Sequence, residues 1–166
     1  MARFSSRVLD GLVTLWFRLT HQGFVLAWKL LRPTTIGVKL VITDGHCRVL
    51  LVKPRYQRTW TLPGGGVHKR ERPEVAAARE LWEEVGVGID PDTLTLLGLL
   101  SSFGEGKSDY VAVFGASIAY EPFPNPGAEN RAATFFPMEA LPANTSPATR
   151  RRVDEAREHR PMRGGW

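Results

Sequence analysis

Residues 65–87 read GGVHKRERPEVAAARELWEEVGV, a glycine pair followed by a short acidic segment. Pro73 suits a first helical position and Gly86 falls just past a last turn, so the spacing predicts one helix over residues 73–85. At about 100° per residue, Glu80, Glu83 and Glu84 share an arc of about 100°, while Val75, Ala78, Leu81, Trp82 and Val85 form an apolar stripe on the other side. A solvated charged face is the ordinary reading of three glutamates. Here Glu80 and Glu84 are like charges four apart, and no Lys or Arg lies four residues after any of the three. A divalent cation would offset the repulsion, and oxygen ligands with room for water and phosphate suit Mg²⁺ or Mn²⁺ better than zinc.

Immediately upstream, Pro63-Gly64-Gly65-Gly66 allows the backbone close approach to a phosphate or metal, which marks Gly64, Gly65 and Gly66 as substrate-binding candidates. Further upstream, residues 35–43 and 46–53 read as two strands joined at Asp44-Gly45, a dipeptide suited to a two-residue hairpin turn with positive φ. The polar loop Lys53–Arg58 leads into Trp60-Thr61-Leu62. Tyr56, Trp60 and Phe103 are candidates to stack on a base, and Arg55, Arg58 and Lys107 to contact phosphate or ribose.

Downstream, residues 93–103 and 110–120 read as strands, 121–130 as a proline-rich surface loop, 133–137 as a short edge strand and 138–141 as a turn of helix. Ser146-Pro147 supplies a cap and first position for a helix to about residue 159, and 162–166 reads as a frayed tail. Strands interspersed with helices indicate an α/β sandwich with a mixed sheet.

These residues also carry a resemblance. Gly65, Glu71, Arg79, Glu80, Leu81, Glu83, Glu84, Gly86 and Val87 match Gly-x5-Glu-x7-Arg-Glu-aliphatic-x-Glu-Glu-x-Gly-aliphatic without gap or substitution. The chain resembles a Nudix hydrolase from about Thr35 to about Leu141. The resemblance implies a Nudix-type α/β/α sandwich and metal-dependent hydrolysis of a nucleoside diphosphate linked to another group, water attacking phosphorus. ADP-ribose, a nucleotide sugar, a nucleoside triphosphate and a CDP-alcohol are all open as substrates. It also implies Glu80, Glu83 and Glu84 as metal ligands and Glu83 as the water-orienting base, although the base varies within the family. Arg79 and Glu71 complete the catalytic set, Arg79 orienting a carboxylate; a carbonyl near Gly64 or Gly65 is a further candidate ligand. Many relatives carry two acidic residues downstream; here Glu129 is present and Ala132 stands at the second place, leaving Glu129 as an extra ligand. A nucleotide-binding module without hydrolysis, and an adaptor acting through residues 8–31, are the alternatives.

The chain has 166 residues and a net charge of +5, which places it as one domain. The basicity sits at the ends: residues 1–32 carry +4 and residues 150–166 carry +3. A cleft for polymeric nucleic acid would be lined with that charge, so a small-molecule nucleotide is expected as the partner instead. Residues 8–31 place Leu12, Leu15, Trp16, Leu19, Leu26 and Leu30 on one helical stripe, broken near Gly23 and too often interrupted by polar residues to span a membrane. This gives an N-terminal amphipathic helical extension over 1–32, a Nudix domain over 33–160 and a tail over 161–166. The extension suits a homodimer contact, an anionic membrane surface or its own domain. Cys47, the single cysteine, reads as a core thiol, and with no disulfide available the expected compartment is a reducing cytoplasm.

Overall fold

The computed structural model describes residues 34–104, 107–118 and 125–166, with the side chains of 103, 104, 107 and 108 excepted. The expected helix over residues 8–31, its dimer and membrane contacts, and the roles of the Phe103 and Lys107 side chains lie outside the described residues.

Five strands form one mixed sheet in the order β3-β4-β1-β2-β5. β1 (Thr34–Asp44) is rich in β-branched residues and pairs in parallel along its whole length with β4 (Lys107–Ile118). β3 (Thr95–Gly104) runs antiparallel to β4, with a bulge between Leu96 and Gly98. β2 (Arg48–Pro54) runs antiparallel to β5 (Asn130–Pro137), which is an edge strand as expected. β1 and β2 pair only near their hairpin, at Thr43 and Val49. Beyond that point they part, and residues 61–67 thread between them. Thr61 exchanges hydrogen bonds with Val52 on β2, while Leu40 N donates to Pro63 O, Val38 N to Gly65 O and Val67 N to Ile36 O on β1. The glycine loop is therefore held inside the sheet.

Each face of the sheet carries one helix. α1 (Pro73–Val85) buries Ala76, Ala77, Leu81 and Val85 against Val38, Leu40, Leu50, Val52, Ala112 and Phe114. α2 (Pro147–Arg157) packs Val153 over Val41, Val49, Leu51, Val111 and Val113 on the opposite face. This is the expected α/β/α sandwich. Both helices keep their expected starts, and Ser146 Oγ accepts from Thr149 N at the head of α2. Gly86 closes α1 in the left-handed region at φ 70°, its N–H donating to Trp82 O. Among the described residues no helix is long and apolar enough to cross a membrane.

Several expectations are corrected. The buried stripe of α1 centres on Ala77, Leu81 and Val85; Val75 is exposed and Trp82 is 62% exposed. The helix is rolled so that its glutamate edge meets the glycine loop. The hairpin uses three residues, Gly45-His46-Cys47, rather than two. Cys47, not Asp44 or Gly45, takes positive φ (55°), and Asp44 accepts from His46 N and Arg48 N, a cap that fixes the longer turn. Cys47 is exposed at that turn rather than in the core. The tail is not frayed: Met162 is buried, Ser101 N donates to Gly164 O and Trp166 N donates to Ser101 O, so the terminal residues dock on β3. A 3-10 turn over Pro91–Thr93 delays β3 to residue 95.

Leu81 is fully buried between α1 and the sheet. Leu81→Ala is expected to cost about 2–5 kcal/mol in urea unfolding, and a loss under about 1 kcal/mol would contradict this packing.

Candidate active site

The site forms where the C-terminal half of α1 meets the loop threaded between β1 and β2. Arg79 is its hub. Its Nε donates to Glu71 Oε1 at 2.9 Å, Nη2 to Glu71 Oε2 at 3.0 Å and to Gly66 O at 2.9 Å, and Nη1 to Glu80 Oε1 at 2.8 Å and Glu83 Oε2 at 3.2 Å. A planar fork of five N–H donors satisfies this set, which an ammonium could not. The sequence reading looked for a basic partner four residues after each glutamate; the partner of Glu83 lies four residues before it.

The hydrogen bonds from Arg79, with the His68 backbone N–H, hold the Glu71 carboxyl down at about 2, against an ordinary 4.5. A depressed carboxylate contributes stability above its unfolded pKa and loses it as pH falls through its folded pKa. Glu71 therefore contributes fully above about pH 4.5 and loses that contribution between there and about pH 2. The stability of Glu71→Gln, measured by urea unfolding from pH 6 to pH 2, is expected to fall less steeply than that of the parent across this window (~4.5 to ~2). Parallel curves would contradict the pairing.

Glu84 turns toward the loop and accepts from Gly64 N at 2.7 Å. Lys39 Nζ donates to Gly64 O, in the next peptide group along the chain, at 2.7 Å and to Leu62 O at 3.0 Å. The two peptide groups that flank the Gly64 Cα are thus held, the first by a carboxylate and the second by an ammonium. Burial pushes the Glu84 carboxyl up and the Lys39 ammonium down, each opposed by the charge of the other. Lys39 was missed by the sequence reading, although a lysine inside the run TIGVKLVIT was a visible signal.

Gly64 is dictated sterically, and by protein rather than ligand. Gly64 has φ 129°, and a Cβ there would lie 2.2 Å from Val38 O. A Cβ on Gly65 would lie 2.6 Å from the Glu80 carboxylate, whereas one on Gly66 would meet open space. The carbonyls of Gly64, Gly65 and Gly66 accept from Lys39, Val38 and Arg79, and each oxygen keeps a second lone pair.

The segment leading into β5 caps the far end of α1. Asn125 N donates to Val85 O and Gly127 N to Glu84 O, and a Cβ on Gly127 would lie 2.3 Å from Glu83 O. That close approach brings Glu129 within electrostatic reach of the cluster: partial desolvation and the charges of Glu80 and Glu83 push its carboxyl up. Arg55 joins here, its N–H donating to Glu129 O and its Nε to Ala128 O. Tyr56 follows in the turn after β2. Trp60 is a packing residue instead, edge-on to Phe136 at 4.9 Å on the α2 face with Lys53 over its ring.

The carboxylates differ in access. The Glu80 side chain is 15% exposed and that of Glu83 is 55% exposed. Among the described residues no three His, Cys, Asp or Glu side chains converge as a ready-made cage for an ion. Arg79 stands between Glu80 and Glu83, and Glu84 is turned to Gly64. The donor chemistry nevertheless fits a hard divalent cation: Glu80, Glu83, Glu84 and Glu129 are all oxygen donors, and the upward shift at Glu129, due first to burial, includes repulsion from Glu80 and Glu83.

The NUDIX domain model matches residues 33–156. Over 61 residues the chain is 38% identical to a MutT-like protein of Streptomyces ambofaciens, covering 37% of this chain and 40% of that protein. Over 52 residues it is 42% identical to an RNA pyrophosphohydrolase of Vibrio atlanticus, covering 31% of this chain and 30% of that protein. These matches span well under half the length of either relative. In structure, it superposes on a MutT NUDIX hydrolase of Burkholderia pseudomallei with a TM-score of 0.64 and 27% identity, covering 74% of this chain and 97% of that one.

Proposed function

Because the chain belongs to the NUDIX domain family, we propose that it hydrolyses a pyrophosphate bond in a nucleoside diphosphate linked to another moiety, with Mg²⁺ or Mn²⁺ as cofactor. The observation that carries this reading is the gathering of Glu80 and Glu83 on the Arg79 guanidinium and of Glu84 on the glycine loop, with Glu129 within electrostatic reach. Glu80, Glu83 and Glu84 would hold the cation, with Glu129 as a further donor. When bound, the cation neutralises phosphate charge and lowers the pKa of attacking water.

The remaining work falls to this chain's own residues. Arg79, anchored on Glu71 and Gly66 O, fixes the rotamers of Glu80 and Glu83. Glu84 and Lys39 hold the backbone on either side of the Gly64 Cα and with it the wall of the site. Glu83 is exposed whereas Glu80 and Glu84 are half-buried, which supports its carboxylate as the group that orients a water and takes its proton. Residues 33–160 act as the hydrolase domain, and a reducing cytoplasm fits the free Cys47.

A screen of ADP-ribose, nucleotide sugars, nucleoside triphosphates and CDP-alcohols with Mg²⁺, reading nucleoside monophosphate release, tests the proposal. At least one substrate is expected to turn over, with activity abolished by EDTA. Binding of these compounds with no turnover would favour a nucleotide-binding module.

A further inference from the structure

The sheet face that carries α1 is only partly covered. Strand pairing places four large apolar residues on it. Ile36 precedes the buried Val38 by two residues, Tyr110 pairs with Ile36, and Leu99 and Leu96 pair with Ala112 and Phe114, both in the core beneath α1. Yet Leu99 is 60% exposed, Leu96 56%, Ile36 46% and Tyr110 38%. α1 packs chiefly on β1 and β4. Single exposed apolar side chains are ordinary; four that adjoin across three paired strands form a patch.

Residues 1–33 join β1 at the margin of this patch, two residues before Ile36 and its neighbour Tyr110. Their sequence carries the complement the patch requires, the stripe Leu12, Leu15, Trp16, Leu19, Leu26 and Leu30. As a helix, residues 8–31 would be about 36 Å long, ample for a patch three strands (about 10 Å) wide. Only Arg32 and Pro33 separate that stretch from β1, a reach of about 7 Å. A tether this short holds the stripe beside the patch at an effective concentration in the millimolar range, which favours its own chain over a second copy or a lipid surface.

We propose that residues 8–31 lie across Ile36, Leu96, Leu99 and Tyr110 of their own chain and extend the layer that α1 begins. The occupant of the patch is thereby an intramolecular segment, and the apolar stripe is used in burial rather than in assembly.

The full chain, kept near 1 µM without lipid so that the tether outweighs any second copy, is treated with trypsin. Cleavage after Arg18 and Lys29 is expected to be slow in the parent and at least about tenfold faster in Leu96→Asp and Leu99→Asp, which alter side chains more than half exposed on the sheet. In a full chain carrying Leu99→Cys, the introduced thiol is expected to react with a disulfide reagent at least about tenfold more slowly than native Cys47, which is exposed and serves as the internal reference. This second readout holds even if the aspartate variants fold poorly. Equal cleavage in parent and variants, or equal thiol rates, would overturn the proposal. So would protection that fades on dilution, which assigns the patch to a second copy, or protection that appears only with anionic phosphatidylserine vesicles, which assigns the stripe to a membrane.

Discussion

Glu83→Gln is expected to lower kcat at least about 10²-fold on whichever nucleoside diphosphate compound the protein hydrolyses, with the fold intact. The substitution is nearly isosteric, and the Glu83 side chain is 55% exposed and pairs with Arg79 at 3.2 Å. An exposed ion pair of this kind contributes about 0.3–0.5 kcal/mol, so unfolding should barely move. What is lost is the negative charge and the proton acceptor beside the attacking water. The effect should therefore fall on kcat rather than on KM. Near-full activity in this variant would remove Glu83 from the proposed chemistry, and a large loss of stability would show that it has a structural role the geometry does not reveal.

Gly64→Ala is expected to be the most damaging single-methyl change in the site. The added Cβ would sit 2.2 Å from Val38 O and 2.9 Å from Val38 C, both backbone atoms of a central strand that cannot swing aside, and φ is 129°. Positive φ for alanine together with a backbone clash should cost upward of about 2–3 kcal/mol in urea unfolding. Activity should fall as well, because Glu84 and Lys39 hold the peptide groups on either side of Gly64. Gly66→Ala is the matched control: its Cβ meets nothing within 4 Å, so stability should change by less than about 0.5 kcal/mol. Equal effects at the two positions would mean that the loop is not wedged against β1 as described.

The contrast between these two glycines marks where sequence reasoning stops. Local rules identify α1 well, since its start, its Gly86 end and the phase of its glutamates depend on neighbours in the chain. They also identify Ser146-Pro147 as the head of α2. They treat Gly64, Gly65 and Gly66 alike, because the difference between them is made by Val38 and by Glu80, brought in by tertiary packing. The same limit explains the phase error on α1. Val75 and Trp82 are apolar by composition, but the helix rolls toward the sheet through Ala76 and Ala77, whose small side chains permit the close approach. Cys47 was assigned to the core by its apolar neighbours, yet the Asp44 cap lengthens the turn by one residue and turns it outward. The docking of Met162 and Trp166 on β3 depends on the bare backbone of Gly98 and the strand edge at Ser101, which no local pattern announces. Lys39 is the instructive omission: its chemistry was legible as a charge within an apolar strand, but its target, the Gly64 carbonyl, is 25 residues away.

The central claim is attack of water on phosphorus within a pyrophosphate bond, dependent on a divalent cation at the glutamate cluster. Hydrolysis in oxygen-18 water with Mg²⁺, read by mass spectrometry of the products, tests it most directly. The account predicts a nucleoside monophosphate among the products, a single labelled oxygen on one of the two phosphoryl products of the broken anhydride, and no reaction in EDTA. Label found only in free orthophosphate released from a monoester, or turnover unaffected by EDTA, would contradict it.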